Sequence, residues 1–253
     1  MRDYSTTPLI AAIFPCHHYM NIAHYSLSLE GKEFNVELTN WAEQANGSVL
    51  VRVGDTLVLA TAVMSTTGRE GVDFFPLTVE YEEKFYATGK ILGSRFVKRE
   101  TRPSEEATLV ARLIDRSIRP RFDLRMRNDV QIVVTVLSVD GENDPDVLSL
   151  FAASLALSLS SIPWTGPVSG VRVGRKNGTF LLNPVYTERE TSDVDIVVSG
   201  TRDRINMLEA GALEITEEDF ASAVEWGFKF VQELNAFQDR IVTAHKPEKC
   251  APL

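Results

Sequence analysis

From residue 24 onward, hydrophobic and polar positions alternate with the period of half-buried strands over 25–29 and 34–38. These runs meet at Glu30-Gly31-Lys32 and predict a hairpin. A second pair, 48–53 and 56–64, meets at Gly54-Asp55, a dipeptide suited to the tightest hairpin turns. Residues 74–81 continue as a strand. The alternation then stops, because 84–104 carries glycines and many cations with few apolar repeats, the pattern of a long loop entering a helix. Ser104 suits the helix N-cap, with Glu105 and Glu106 in the positive first turn. Val110, Ile114 and Ile118, beside Leu109 and Leu113, predict one apolar face. Arg112, Arg116 and Arg119 fall on another face, and Pro120 ends the helix.

Residues 130–139 are β-branched and predict a strand. A second helix begins after Asp144-Pro145 and runs to about residue 160 without a charge past Asp146, so it is expected to be the buried central helix. Strands 168–174 and 179–182 flank a turn at Lys176-Asn177-Gly178, and 193–199 pairs with 205–209. The last helix opens on Thr216-Glu217-Glu218-Asp219, with Phe220, Val224, Phe228 and Val231 at helical spacing. Strands in hairpins and helices standing singly give an α+β class in one compact domain.

Composition narrows the function. The 253 residues are 44% hydrophobic and 24% charged, which excludes a disordered chain. The two cysteines, Cys16 and Cys250, lie near opposite ends and build neither a disulfide framework nor a zinc site. Cys16, His17, His18 and His24 match no closed metal spacing. The apolar run 8–15, bounded by prolines, is too short to span a bilayer, which takes ~20 residues. It also lacks a signal-peptide or transit-peptide pattern.

The net charge of −9 argues mildly against a nucleic-acid partner, yet the charge is unevenly placed. Residues 84–127 sum to +7 and the remainder to −16. Within this basic stretch, Lys98, Arg99 and Arg102 suit phosphates, and Phe96 offers a face for base stacking, worth ~1–3 kcal/mol per base. The plainer reading is a solvated loop whose cations pair with acids elsewhere, and composition does not decide between the two.

Longer motifs point to a family. Residues 74–81 (Phe-Phe-Pro-Leu-Thr-Val-Glu-Tyr), 89–95, Lys98-Arg99-Glu100, 102–105, 111–116 and Ile118-Arg119-Pro120 closely resemble bacterial polynucleotide phosphorylase. Residues 143–146, 153–158 and 166–168 agree as well. The resemblance runs from about residue 25 to 234 and implies the first of two RNase PH-like modules. It divides the chain into an irregular leader 1–19, the module 20–238, and the start of an inter-module linking region 239–253. The implied fold is an RNase PH-like β-α-β-α module with mixed-sheet hairpins and a buried central helix.

The resemblance also implies a chemistry: 3′-to-5′ phosphorolysis of RNA to nucleoside diphosphates, in the cytoplasm, as part of mRNA degradation. Such a reaction needs inorganic phosphate and Mg²⁺ in the full-length enzyme. The family's second module supplies a serine-rich phosphate loop and an Asp, Asp, Lys group. Here Asp144-Pro145-Asp146 stands where the serines are expected, Asp195 matches one acid, and Arg189 and Val197 replace the other Asp and the Lys. No catalytic residue, bound metal or bound phosphate is therefore expected of this chain. Its implied role is to bind single-stranded RNA through Phe96, Lys98, Arg99 and Arg102, with Arg112, Arg116 and Arg119 as secondary phosphate contacts, and to support a homotrimeric ring with the second module. The family loop usually reads Phe-Phe-Arg-Arg-Glu-Gly, so Val97, Lys98 and Thr101 depart from it, and Lys98 loses the bidentate fork of arginine.

Two other readings stand beside this one. The chain is alternatively a non-catalytic, RNA-binding ring-scaffold protein of exosome-core type, without membrane attachment. A hydrolase using Asp144, Asp146, Asp193 and Asp195 as a metal cluster is the third; against it, Asp144 or Asp146 serves equally as a helix cap.

Overall fold

The computed structural model describes residues 23–39, 41–91 and 102–251. Two sheets sandwich a central helix. The first sheet comprises β1 (Ala23–Leu29), β2 (Lys32–Leu38), β3 (Gly47–Val53), β4 (Thr56–Gly68), β5 (Leu77–Glu82) and β6 (Asn128–Ser138), in the order β1-β2-β3-β4-β6-β5. All of its pairings are antiparallel except β5 with β6. That parallel pair is joined through helix α1 (Glu105–Ile118), which packs on β5, as a parallel connection requires.

The second sheet holds β7 (Ser169–Lys176), β8 (Thr179–Leu182), β9 (Val194–Gly200) and β10 (Ile205–Ala212), antiparallel in the order β10-β9-β7-β8. Between the sheets lies α2 (Pro145–Leu159), every residue of which is buried. It contacts β3, β4 and β6 on one side and β7 and the last helix on the other. Leucine and alanine with no charged face produce this placement, since such a helix has no side to offer water. Gly47 shows how closely β3 approaches: a Cβ there would lie 2.3 Å from the Ala156 carbonyl oxygen.

Helix α3 (Tyr186–Arg189) is a single turn that the periodicity does not reveal, being too short to show a period. Its first turn is fastened by Glu188, whose carboxylate accepts from the Val185 N–H at 3.0 Å. Helix α4 (Glu217–His245) closes the second sheet. Among the described residues, no helix is long and apolar enough to cross a membrane.

Three sequence expectations are corrected. Leu109 is 60% exposed and does not belong to the buried face of α1, which consists of Ala107, Leu113, Ile114, Ser117 and Ile118. In α4 the stripe Phe220, Val224 and Phe228 is only half-buried, while Ala223, Gly227, Phe230, Val231, Leu234, Phe237 and Ile241 form the core face. Small residues won that contact because the helix lies close on β7, where a Cβ at Gly227 would be 2.6 Å from a Val173 methyl. The stretch preceding Ser104 is not all loop, since Phe85–Thr88 forms a 3₁₀ turn ended by Gly89 in the left-handed region. Helix α4 runs unbroken through residue 238.

Candidate functional site

The start of α2 is fixed by a loop that the first sheet holds in place. The Asp140 carboxylate accepts from the N–H groups of Asp55 (3.2 Å), Glu142 and Asn143 (both 2.8 Å) and from the Asn143 amide at 2.7 Å. Burial works to raise this carboxyl, but the hydrogen bonds prevail and hold it well below the usual carboxylate range. Thr56 donates to the Asn143 carbonyl at 3.0 Å, and Lys32 donates to the Asn143 side chain at 2.9 Å and to the Asn183 carbonyl. Burial pushes the Lys32 amine down, against the pull of Glu188, Asp140 and Glu142. Gly54 takes a left-handed backbone (φ +58°) at the β3–β4 turn, and a Cβ there would meet Asp140 at 2.6 Å.

On this platform Asp144 caps α2, accepting from the Asp146 N–H at 3.2 Å, with Pro145 in the first turn. Asp144 and Asp146 then meet two arginines from the second sheet's side. Arg172 of β7 donates to Asp146 and, at 2.5 Å, to Asp195 of β9, and lies 3.9 Å from Asp144. Arg189, at the end of α3, donates to Asp144 and, at 3.3 Å, to Asp195. Three carboxylates thus face two guanidiniums, leaving one negative charge in surplus. Burial foremost, and Asp146 next, push Asp144 up to about 6. Burial also raises the phenols of Tyr81 and Tyr186, the latter to about 12, with Asp144 and Asp146 adding to both.

This arrangement fits neither phosphate, which its surplus carboxylate would repel, nor a metal, since guanidiniums occupy the carboxylate oxygens a cation would need. Among the described residues, no group of three or more His, Cys, Asp or Glu is arranged to hold a metal ion. Asp193 belongs to a separate group, chelating Arg175 at 2.7 Å, and Arg175 also meets Asp219 of α4 at 2.9 Å. The four-aspartate cluster of the hydrolase reading is therefore two unrelated ion-pair groups. Sequence reasoning singled out Asp144, Asp146, Asp195 and Arg189, and these converge. It missed Arg172 and Lys32. The signal for Arg172 was a lone cation between two buried valines, Val171 and Val173, on a strand covered on both sides.

The basic region is only partly visible. Phe96, Lys98 and Arg99 lie outside the described residues. Arg102 is exposed just ahead of α1, and Arg112 and Arg116 are exposed on its outer face, with no ion pair among the described residues. Arg119 differs: it grips Asp115 at 2.6 and 3.1 Å and donates to the Phe75 and Leu77 carbonyls, so it fastens α1 to β5 and is not presented outward. Arg125 and Arg127 are likewise engaged, the first by Asp123, the second by the carbonyls of Val72, Asp73, Leu124 and Met126. The +7 segment therefore offers fewer free cations than its sum suggests.

Comparison with known proteins places this architecture. Residues 30–163 match the model for domain 1 of the 3′ exoribonuclease family, RNase PH, and residues 166–229 match that for its domain 2. Polyribonucleotide nucleotidyltransferase of Heliobacterium modesticaldum is 51% identical over 90% of this chain and 32% of its own length. That of Enterococcus faecalis is 53% identical over 85% of this chain and 30% of its own length. The chain thus spans about a third of the curated relatives it matches. Among solved structures, rice (Oryza sativa) Rrp46 superposes with a TM-score of 0.64 at 15% identity, covering 88% of this chain and 94% of that one. The Archaeoglobus fulgidus exosome with RNA bound to the active site gives a TM-score of 0.62 at 19% identity, over 79% and 87%. Two sheets around a buried central helix, with family matches across both, make this chain a member of the RNase PH 3′ exoribonuclease family.

Proposed function

We propose that this chain is the first RNase PH-like module of a polyribonucleotide nucleotidyltransferase, and that it binds RNA and builds the ring while leaving phosphorolysis to a second module. The observation that carries the reading is the Arg172–Arg189 cluster. At the start of the central helix, the carboxylates and guanidiniums are engaged with one another, with one negative charge in surplus. Supporting it is the identity of about one half with the polyribonucleotide nucleotidyltransferases of Heliobacterium modesticaldum and Enterococcus faecalis. Mg²⁺ and inorganic phosphate would then serve the whole enzyme, which acts on mRNA in the cytoplasm as a trimer, and no residue of this cluster would hold either.

RNA contact in this reading falls to Phe96, Lys98, Arg99 and Arg102, extended by Arg112 and Arg116 on the outer face of α1. Replacing Lys98 and Arg99 together by alanine should lower the salt dependence of single-strand binding by one to two contacts, at ~0.7 in slope for each. The purified chain should release no nucleoside diphosphate from single-stranded RNA in the presence of phosphate and Mg²⁺. Turnover by the chain alone would overturn the non-catalytic assignment, and an unchanged salt slope would return the basic loop to a solvated surface.

The exosome-type scaffold is the second reading, favoured by the likeness in fold to the Archaeoglobus fulgidus exosome. Adding the second module as a separate polypeptide distinguishes the two. Restored phosphorolysis supports the enzyme reading, whereas a stable ring without activity supports the scaffold.

A further inference from the structure

Helix α4 ends at Lys246, whose left-handed backbone (φ +46°) turns the chain away from the helix axis. The next residues lie across the C-terminal end of α2. There the Lys249 ammonium donates to three carbonyls, those of Leu157 (2.8 Å), Ser158 (3.0 Å) and Ser160 (2.7 Å). One residue on, the Cys250 N–H donates to the Ser161 carbonyl at 2.8 Å. An ammonium has three N–H donors and no acceptor, so each proton of Lys249 has one carbonyl. The last carbonyls of a helix carry its negative end, so a cation there neutralises them, here beside the Ser160 hydroxyl, which donates to the Leu157 carbonyl at 2.8 Å.

We propose that Lys249 is a clasp, which holds the segment 246–251 against the module by capping α2 with its three donors and releases it when those donors are lost. The ion-pair cluster belongs to the opposite end of the same helix. The clasp therefore makes α2 tied by charge at both ends, to the second sheet at its start and to the segment after α4 at its finish.

The test is peptide-resolved hydrogen exchange on the full chain, comparing wild type with Lys249→Met, which keeps the stem and loses charge and donors, and Lys249→Arg, which keeps both. In Lys249→Met the peptide covering 246–251 should exchange at least about tenfold faster while peptides from β3 and β4 keep their wild-type protection. Lys249→Arg should retain most of the protection. Unchanged exchange over 246–251 in Lys249→Met would overturn the proposal. So would a uniform rise across all peptides, which would make Lys249 a contributor to general stability and not a local clasp. Anisotropy of a fluorophore on Cys250, with Cys16 replaced by serine, gives an independent reading: it should fall in Lys249→Met, and a value equal to wild type would count against release.

Discussion

Asp144 carries the surplus charge of its cluster, and this has a measurable consequence. Its folded pKa of about 6 stands above its ordinary value of 3.8, so between these the folded state binds more protons than the unfolded one. The stabilisation is complete below about pH 3.8 and is lost as the pH rises through about 6. Asparagine caps a helix as well as aspartate and cannot ionise. Asp144→Asn should therefore match wild type near pH 4 and exceed it in stability at pH 7.5. Urea denaturation at both pH values reads this directly. His245, lowered by burial, is shared by both proteins and cancels in the difference. A variant that loses more stability at pH 7.5 than at pH 4 would show that the Asp144–Arg189 pair outweighs the surplus charge.

At the scale of elements, the close approach of β3 to α2 sets the sharpest prediction. Gly47→Ala drives a methyl against the Ala156 carbonyl and the Ser160 Cβ, the latter 2.8 Å away, and neither backbone can retreat inside a filled core. The expected cost is about 3 kcal/mol, seen as a melting midpoint lowered by roughly 5–10 °C. A midpoint within a degree of wild type would mean that β3 and α2 separate easily. Most elements were legible in the sequence, because hairpin turns, caps and a chargeless helix are local signals. Ser104 does cap α1, accepting from the Ala107 N–H at 2.9 Å, and Thr216 caps α4 at 3.1 Å. The register of α4 was not legible, since bulky residues dominate a periodicity whereas contact with a sheet selected Ala223 and Gly227. Nor was the cluster legible as a unit. Its acids lie at a helix start and on a strand, and Arg172, which joins them, reads locally as one polar position in an alternating run. The anchoring of Arg119 to β5 was not legible either, since its carbonyl partners Phe75 and Leu77 lie more than forty residues away in the chain.

For the molecule as a whole, burial of α2 decides how the two family segments relate. Its partners β3, β4 and β6 precede residue 164, while β7 and α4, which cover its other side, follow it. Trp164 is itself buried, packed against Phe122 at 6.2 Å. The two matched segments are therefore halves of one core, and neither should fold alone. A chain divided between residues 164 and 165 should yield two pieces that are unstructured apart by circular dichroism yet copurify in equal amounts when produced together. A cooperative melt from the 1–164 piece alone would sink this expectation. The helix with no solvent face thus makes the module a natural candidate for fragment complementation, in which two separately expressed parts report their encounter by regaining a shared interior.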